Sequence, residues 1–294
     1  MRRGNGCVAV SDQAQDHFLG NRSMNVKRRA LLLTVSRLLF LFFAAVFLIV
    51  SVLLAARLYR ERKEQQAFER LSAIVSEETR QPEKSDEQPD SLSGDGVQRE
   101  EITKLDRYRQ LYAMNSDFFG WISVAGTPLN YPVMYKPDRE DYYLRRAFDG
   151  SKSLSGVPYI EESCFPGCGN YLIYGHYMKN GTVFAAVTSY ESQSFWEEHP
   201  TISFDTLDGE GEYKVMAAFD SRVYAVDEKN VFRYYQYTDL SDPEVFAEYV
   251  SLVQKHALYD TGVTAEYGDE LITLSTCSYK TKNGRFVVVA CKQS

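Results

Sequence analysis

The sequence predicts a mainly β protein, built as one barrel domain of about 190 residues and tethered by a single membrane-spanning helix. Three observations carry this. The run Leu38–Ala56 (LLFLFFAAVFLIVSVLLAA) is 19 residues long, has one hydroxyl and holds no charge. From about Ile102 onward, short alternating segments rich in Tyr, Phe and β-branched residues recur between breaker clusters. Between these regions lies a stretch, 77–101, without an aromatic residue and dominated by Pro, Ser, Asp and Glu.

Each element follows in order. Residues 1–37 read as a short basic tail. Residues 1–23 lack periodicity, and Met24-Asn-Val-Lys-Arg-Arg is a normal opening for a signal anchor, so Met24 is the expected start. Residues 38–56 form the anchor. At about 1.5 Å per residue the run spans roughly 28 Å, close to the hydrocarbon thickness of a bilayer. A buried core helix is seldom so apolar all round. A cleaved signal peptide would have a shorter apolar run and a small-residue cleavage site, whereas this run passes into Arg57, Arg60, Arg62 and Lys63. Lys and Arg near the span favour the N-terminal side inside, hence a single-pass type II protein with its body outside. Residues 57–101 read as a juxtamembrane helix (Glu64–Ser76) followed by a flexible stalk, which cannot bury enough apolar area to offset chain entropy.

The barrel domain is expected over 102–294. Ile102, Leu105, Leu111 and Tyr112 give its opening helix a stripe. Strands are expected at Phe118–Val124, Asn130–Tyr135, Tyr171–Tyr174, Thr201–Phe204, Tyr213–Phe219, Glu270–Thr276 and Phe286–Cys291. Val183–Thr188 is expected to be helical. A second helix starts at Ser241-Asp-Pro-Glu244, read as a capping box with Pro in the first turn, and Val245, Phe246, Tyr249, Val250, Leu252 and Val253 form its apolar face.

Of the 294 residues, 44% are hydrophobic and 25% charged, which excludes wholesale disorder and a polytopic membrane protein. The net charge of -7 divides unevenly. Residues 1–63 hold 11 Lys and Arg against 3 Asp and Glu, whereas the rest hold 22 against 37. An acidic body of −15 lacks the basic footprint that nucleic-acid binding needs.

Chemistry narrows to few residues. Cys164-Phe-Pro-Gly-Cys168 is compatible with a loop disulfide, free thiols or two metal ligands, but no second pair of suitable spacing accompanies it. No metal or cofactor is called for. Cys291 sits in an apolar run and reads as a small hydrophobe. Cys277 ends the alternating strand LITLSTC, and His176 ends YLIYGH; both lie where a strand meets a loop. They are the plausible thiol–imidazole pair on the outer side. Arg285 lies eight residues after Cys277, across the turn-like Lys280–Gly284, so an antiparallel return brings a guanidinium beside the thiol. A cation favours the thiolate and stabilises an oxyanion in acyl transfer.

TLSTC followed by Arg in GRFVVVA, with YLIYGHYMKNGTVF upstream, resembles the class B sortases. FFGWISVAGTPLNYPVM, DYYLRRAF and the helix near 243–258 extend the resemblance over about 102–294. The resemblance implies an eight-stranded β-barrel and a cysteine transpeptidase of Gram-positive surfaces. Cys277 would be the nucleophile, cleaving after Thr in an NPxTx- or PPxTG-like C-terminal sorting motif through a thioacyl-enzyme. His176 would be the general acid and then base, and Arg285 the group that binds substrate and oxyanion. Leu144, Ser275, Val231 and Phe232 would line the sorting-motif groove. Partners implied are sorting-motif surface proteins and an amine from a cell-wall peptide, a lipid-linked precursor or a pilin Lys. A Cys-His-Asp triad with an acidic member just after the Cys, which some accounts of the class look for, is not supported here, where Ser278 and Tyr279 follow. An ordinary thiol is only about 3% ionised at pH 7, so a thiolate–imidazolium pair predicts slow turnover and a bell-shaped pH profile. A surface cysteine protease and a non-enzymatic binding domain are the competing readings.

Overall fold

The computed structural model describes residues 11–76 and 103–293; the expected stalk at 77–101 lies outside them. Helix α1 (Ser11–Ser76) carries the apolar run, with an 18-residue window of mean hydropathy 3.1, and is long and apolar enough to cross a membrane. One compact unit comprises Met1–Arg62 and a second Lys63–Ser294. The second unit therefore includes the end of α1, where Phe68 and Leu71 are buried in the core.

Helix α2 (Lys104–Met114) opens with a reciprocal capping box. Thr103 Oγ1 accepts from the Asp106 N–H at 3.2 Å, and Asp106 accepts from the Thr103 N–H at 3.1 Å. Tyr108 and Leu111 form its buried face. Tyr108 then donates to the buried Asp205 at 2.6 Å, and Lys104 Nζ lies 2.6 Å from the same carboxylate, which fixes the helix to the sheet.

Eight strands close a barrel: β1 (Phe118–Ser123), β2 (Asn130–Met134), β3 (Tyr159–Ile160), β4 (Asn170–Tyr174), β5 (Thr201–Thr206), β6 (Glu212–Arg222), β7 (Leu271–Cys277) and β8 (Gly284–Lys292). Their order around the barrel is β1-β2-β3-β4-β7-β8-β6-β5, and β5 pairs back onto β1. All pairings are antiparallel except β2–β3 and β4–β7. The seven expected strands are present with ends moved by one to three residues. The eighth, β3, is only two residues long, too short to leave an alternation in the sequence.

Helix α3 (Gln193–Glu198) was not foreseen, and the segment expected at Val183–Thr188 is a 3-10 helix over Phe184–Glu191. Helix α4 (Pro243–His256) is capped by Asp242, one residue later than the expected Ser241. Pro243 takes the first helical position, for which its fixed φ is suited, so the preceding carboxylate becomes the cap. Asp242 accepts from the N–H groups of Glu244 and Val245 at 2.8 and 3.2 Å.

The parallel β4–β7 pair is pinned by Asn170, at the start of β4. Its side chain accepts from Thr273 of β7 at 2.8 Å and donates to the Tyr237 carbonyl at 2.7 Å. Cys164 and Cys168 are free buried thiols that both donate to the Asn170 carbonyl, at 3.5 and 3.2 Å.

Candidate active site

The β7–β8 hairpin and the end of β4 build the site. In the antiparallel register of β7 and β8, Cys277 lies directly opposite Arg285. The turn between them uses Asn283 at φ 58 and closes through Gly284 N–H to the Thr281 carbonyl at 3.1 Å. This is the juxtaposition that the eight-residue spacing predicts.

His176 arrives from the other side. The parallel register sets Tyr174 of β4 against Ser275 of β7. Two hydrogen bonds continue the pairing: Gly175 N–H to the Ser275 carbonyl at 3.1 Å, and Thr276 Oγ1 to the Gly175 carbonyl at 2.8 Å. His176 and Cys277 therefore leave adjacent strands at the same end of the barrel. Gly175 is required here, because a Cβ would collide with the Phe184 ring.

His176 Nε2 lies 2.8 Å from the Leu144 carbonyl, a contact that fixes the ring. Burial holds its pKa below the ordinary value. The Leu144 carbonyl opposes that shift, Arg145 and Arg285 add to it, and Asp141 also opposes it. The imidazole is therefore biased toward its neutral form. Arg285 donates to the Gly284 carbonyl at 3.0 Å.

A groove of about 290 Å³ runs across these residues, and His176, Cys277, Arg285, Leu144 and Ser275 all line it. Ser275 is buried beneath the floor and shares a 2.7 Å hydrogen bond with Tyr234. Val231 and Phe232, expected on the wall, do not line it. Phe232 is 6% exposed and packs against Phe219, Tyr249 and His256 in the core. The wall is taken instead by Tyr234 and Tyr235, two and three residues further on. The sequence signal for them is the aromatic cluster Phe232-Arg-Tyr-Tyr-Gln-Tyr237, in which neither depth nor facing is legible.

Sequence reasoning also missed Tyr159 and Tyr174, which complete the wall. Burial pushes both phenols up, helped at Tyr159 by its hydrogen bond to Asp141, and the Arg285 charge only partly opposes this, so both stay neutral. Tyr234 is pushed up to about 12 by burial, against the opposing effects of Ser275 and Arg285. Among the described residues, no group of three or more His, Cys, Asp or Glu is placed to hold a metal ion. Thiol, imidazole, guanidinium and a phenol-lined groove are the parts of acyl transfer through a thioester.

Known proteins resemble this chain in sequence and in fold. A family model described as the sortase domain matches residues 122–293. Sortase B of Listeria monocytogenes is 31% identical over 188 residues, covering 62% of this chain and 72% of that protein. A Staphylococcus aureus sortase B–substrate complex superposes with a TM-score of 0.63 at 22% identity, over 80% of this chain and 99% of that one. A sortase B complexed with triglycine also gives 0.63, at 23% identity over 80% and 99%.

Proposed function

The chain belongs to the sortase family, in its class B branch, and is a cysteine transpeptidase; from that premise we propose that Cys277, His176 and Arg285 carry the reaction. The observation that carries this reading is the cross-strand pair Cys277–Arg285, with His176 leaving the adjacent strand at the same end of the barrel and lining the same groove.

The Cys277 thiolate attacks the carbonyl carbon of a Thr in a C-terminal sorting motif of the NPxTx or PPxTG kind. The carbonyl π pair moves onto oxygen, and Arg285 donates to that oxyanion. Collapse breaks the C–N bond. His176, as imidazolium, gives its proton to the departing amine, leaving a thioacyl-enzyme. An incoming primary amine then loses its proton to His176 and attacks the thioester. The second oxyanion collapses, the Cys277 thiolate departs, and the site is regenerated. Leu144 and Ser275 belong to the groove that holds the motif. Tyr174, Tyr234 and Tyr235 add aromatic wall to that groove.

The substrate and triglycine complexes of related enzymes support a peptide donor and an amine acceptor here. The acceptor is a cell-wall peptide, a lipid-linked precursor or a pilin Lys. Residues 38–56 anchor the enzyme as a single-pass type II protein with its barrel outside, so it meets clients emerging from the same membrane. Incubating the protein with sorting-motif peptides, with and without triglycine, tests the reading. A triglycine-dependent ligated product that disappears in Cys277→Ala is the expected result. Release of free acid alone, unchanged by the amine, would replace transfer by hydrolysis.

A further inference from the structure

The end of α1 lies on the barrel unit and reaches His176 by two routes. The first begins at Glu64. Its carboxylate accepts from the N–H groups of Leu154 and Ser155, at 3.0 and 3.3 Å. That loop roofs the 3-10 turn Tyr142–Arg145. Ser153 N–H donates to the Arg145 carbonyl at 3.0 Å, Val157 N–H to the Tyr143 carbonyl at 3.3 Å, and Arg145 returns a bond to the Leu154 carbonyl at 2.9 Å. The turn presents the Leu144 carbonyl to His176 Nε2 at 2.8 Å.

The second route begins one helical turn later, at Phe68, which is 7% exposed. Its ring meets Tyr131 edge-on, with centroids 4.9 Å apart. The Tyr131 hydroxyl accepts from the Val183 N–H at 3.0 Å. Val183 holds φ 56, a conformation costly for a β-branched residue, so this bond secures a backbone that would otherwise relax. The next residue, Phe184, donates its N–H to the His176 carbonyl at 3.0 Å and places its ring under Gly175. One route thus fixes the imidazole and the other its backbone.

The helix itself is held in place. Ser72 Oγ accepts from Asn130 at 2.8 Å, and the Val75 carbonyl accepts from Arg107 at 2.8 Å. Glu64 and Phe68 lie on adjacent turns of one rigid element, so movement of this segment disturbs both supports together.

We infer that Glu64 and Phe68 are positioning residues for His176, which makes the helix leading into the barrel part of the catalytic apparatus. The inference rests on His176 being the acid–base group proposed above. No acidic residue follows Cys277 to orient the imidazole; a backbone carbonyl does so, and a carbonyl is only as fixed as the segment that carries it. The charged groups acting on His176 are Arg145, Asp141 and Arg285, and none of them belongs to the helix. The helix therefore acts through geometry.

The test uses the full chain in detergent micelles, with an Asn-Pro-x-Thr peptide as donor and triglycine as acceptor. Glu64→Ala, Glu64→Gln, Phe68→Ala and His176→Ala are compared with wild type for kcat, KM and the pH profile of kcat/KM. The His176 imidazole is also followed by NMR on histidine-labelled protein, its signal assigned by its loss in His176→Ala. Displacing a catalytic group by a fraction of an ångström predicts a fall of about tenfold in kcat for Glu64→Ala, with KM within about twofold. Losing the carbonyl acceptor disfavours imidazolium, so the acid limb moves to lower pH and the His176 resonance shifts with it. Glu64→Gln retains an acceptor oxygen and restores most of the rate. Phe68→Ala gives a fall of the same sign.

A folded Glu64→Ala with wild-type kcat, acid limb and His176 resonance overturns the inference. So does a rate loss with unmoved limb and resonance, which is the mark of a merely structural role. Wild-type activity in His176→Ala would instead overturn the acid–base assignment, and with it the premise of this inference.

Discussion

Gly156 offers a sharp test of how the imidazole is held. Its φ is +60, and a Cβ built there would lie 2.5 Å from the Leu144 carbonyl oxygen and 2.8 Å from that of Tyr143. Gly156→Ala therefore forces both carbonyls away and strains its own backbone. To reach even a tight 3.0 Å, the Leu144 oxygen must retreat by about 0.5 Å, which is enough to take a 2.8 Å hydrogen bond to the edge of its range. The left-handed conformation alone costs an alanine about 1–2 kcal/mol. A hydrogen bond to a charged group contributes about 1.5–3 kcal/mol, and each 1.36 kcal/mol on the barrier is tenfold in rate. A fall in kcat of roughly tenfold to a hundredfold follows. The strain lowers the melting temperature by roughly 2–8 °C for a domain of this size. Steady-state transfer to triglycine and a thermal melt measure both effects. A folded Gly156→Ala with kcat within about twofold of wild type would show that the Leu144 carbonyl has no hold on His176 chemistry.

Further consequences are open to measurement. Cys277→Ala removes the proposed nucleophile, so no acyl-enzyme mass adduct forms with a sorting peptide, while the thermal melt stays near wild type. His176 has its folded pKa below its unfolded value; the unfolded chain then binds the extra proton first, so stability falls as pH drops below about 6.5, and His176→Gln flattens that decline in a pH series of melts. Tyr234→Phe leaves the buried Ser275 hydroxyl without its 2.7 Å partner and costs about 1–3 kcal/mol, read by denaturant unfolding. Asp205→Ala strips the acceptor from Tyr108, Lys104 and the Gly211 N–H, and a loss of about 2–4 kcal/mol is expected by the same method.

One relation of the candidate site is legible because it is local in sequence. The eight-residue spacing of Cys277 and Arg285 across a turn implies a hairpin, and the hairpin implies contact. His176 could be placed at a strand end, but its meeting with Cys277 depends on a parallel pairing that no local signal announces. Phe232 and Tyr234 illustrate the complementary failure. Both are aromatic, buried and two residues apart, yet Tyr234 lines the groove and Phe232 does not. The left-handed Asn230 and the 3-10 turn at Tyr234–Gln236 decide which ring faces where, and neither has a periodicity to read. The two-residue β3 escaped for the same reason. The brace from Glu64 was invisible because it joins residues ninety positions apart through backbone N–H groups that any sequence supplies.

Strand β8 sits between β7 and β6 in a barrel that has no free edge. Arg285 lies on β8 itself, so the guanidinium meets Cys277 only once β8 has paired with β7, and β8 must pair with β6 as well. The β4–β7 and β6–β8 pairings join segments far apart in sequence, and such pairings form late, because loop-closure entropy must be overcome before contact is gained. The candidate thiol, imidazole and guanidinium therefore come together only when those pairings have formed. Assembly of the barrel is in effect a safety catch: the enzyme arms itself only when the whole fold is in place.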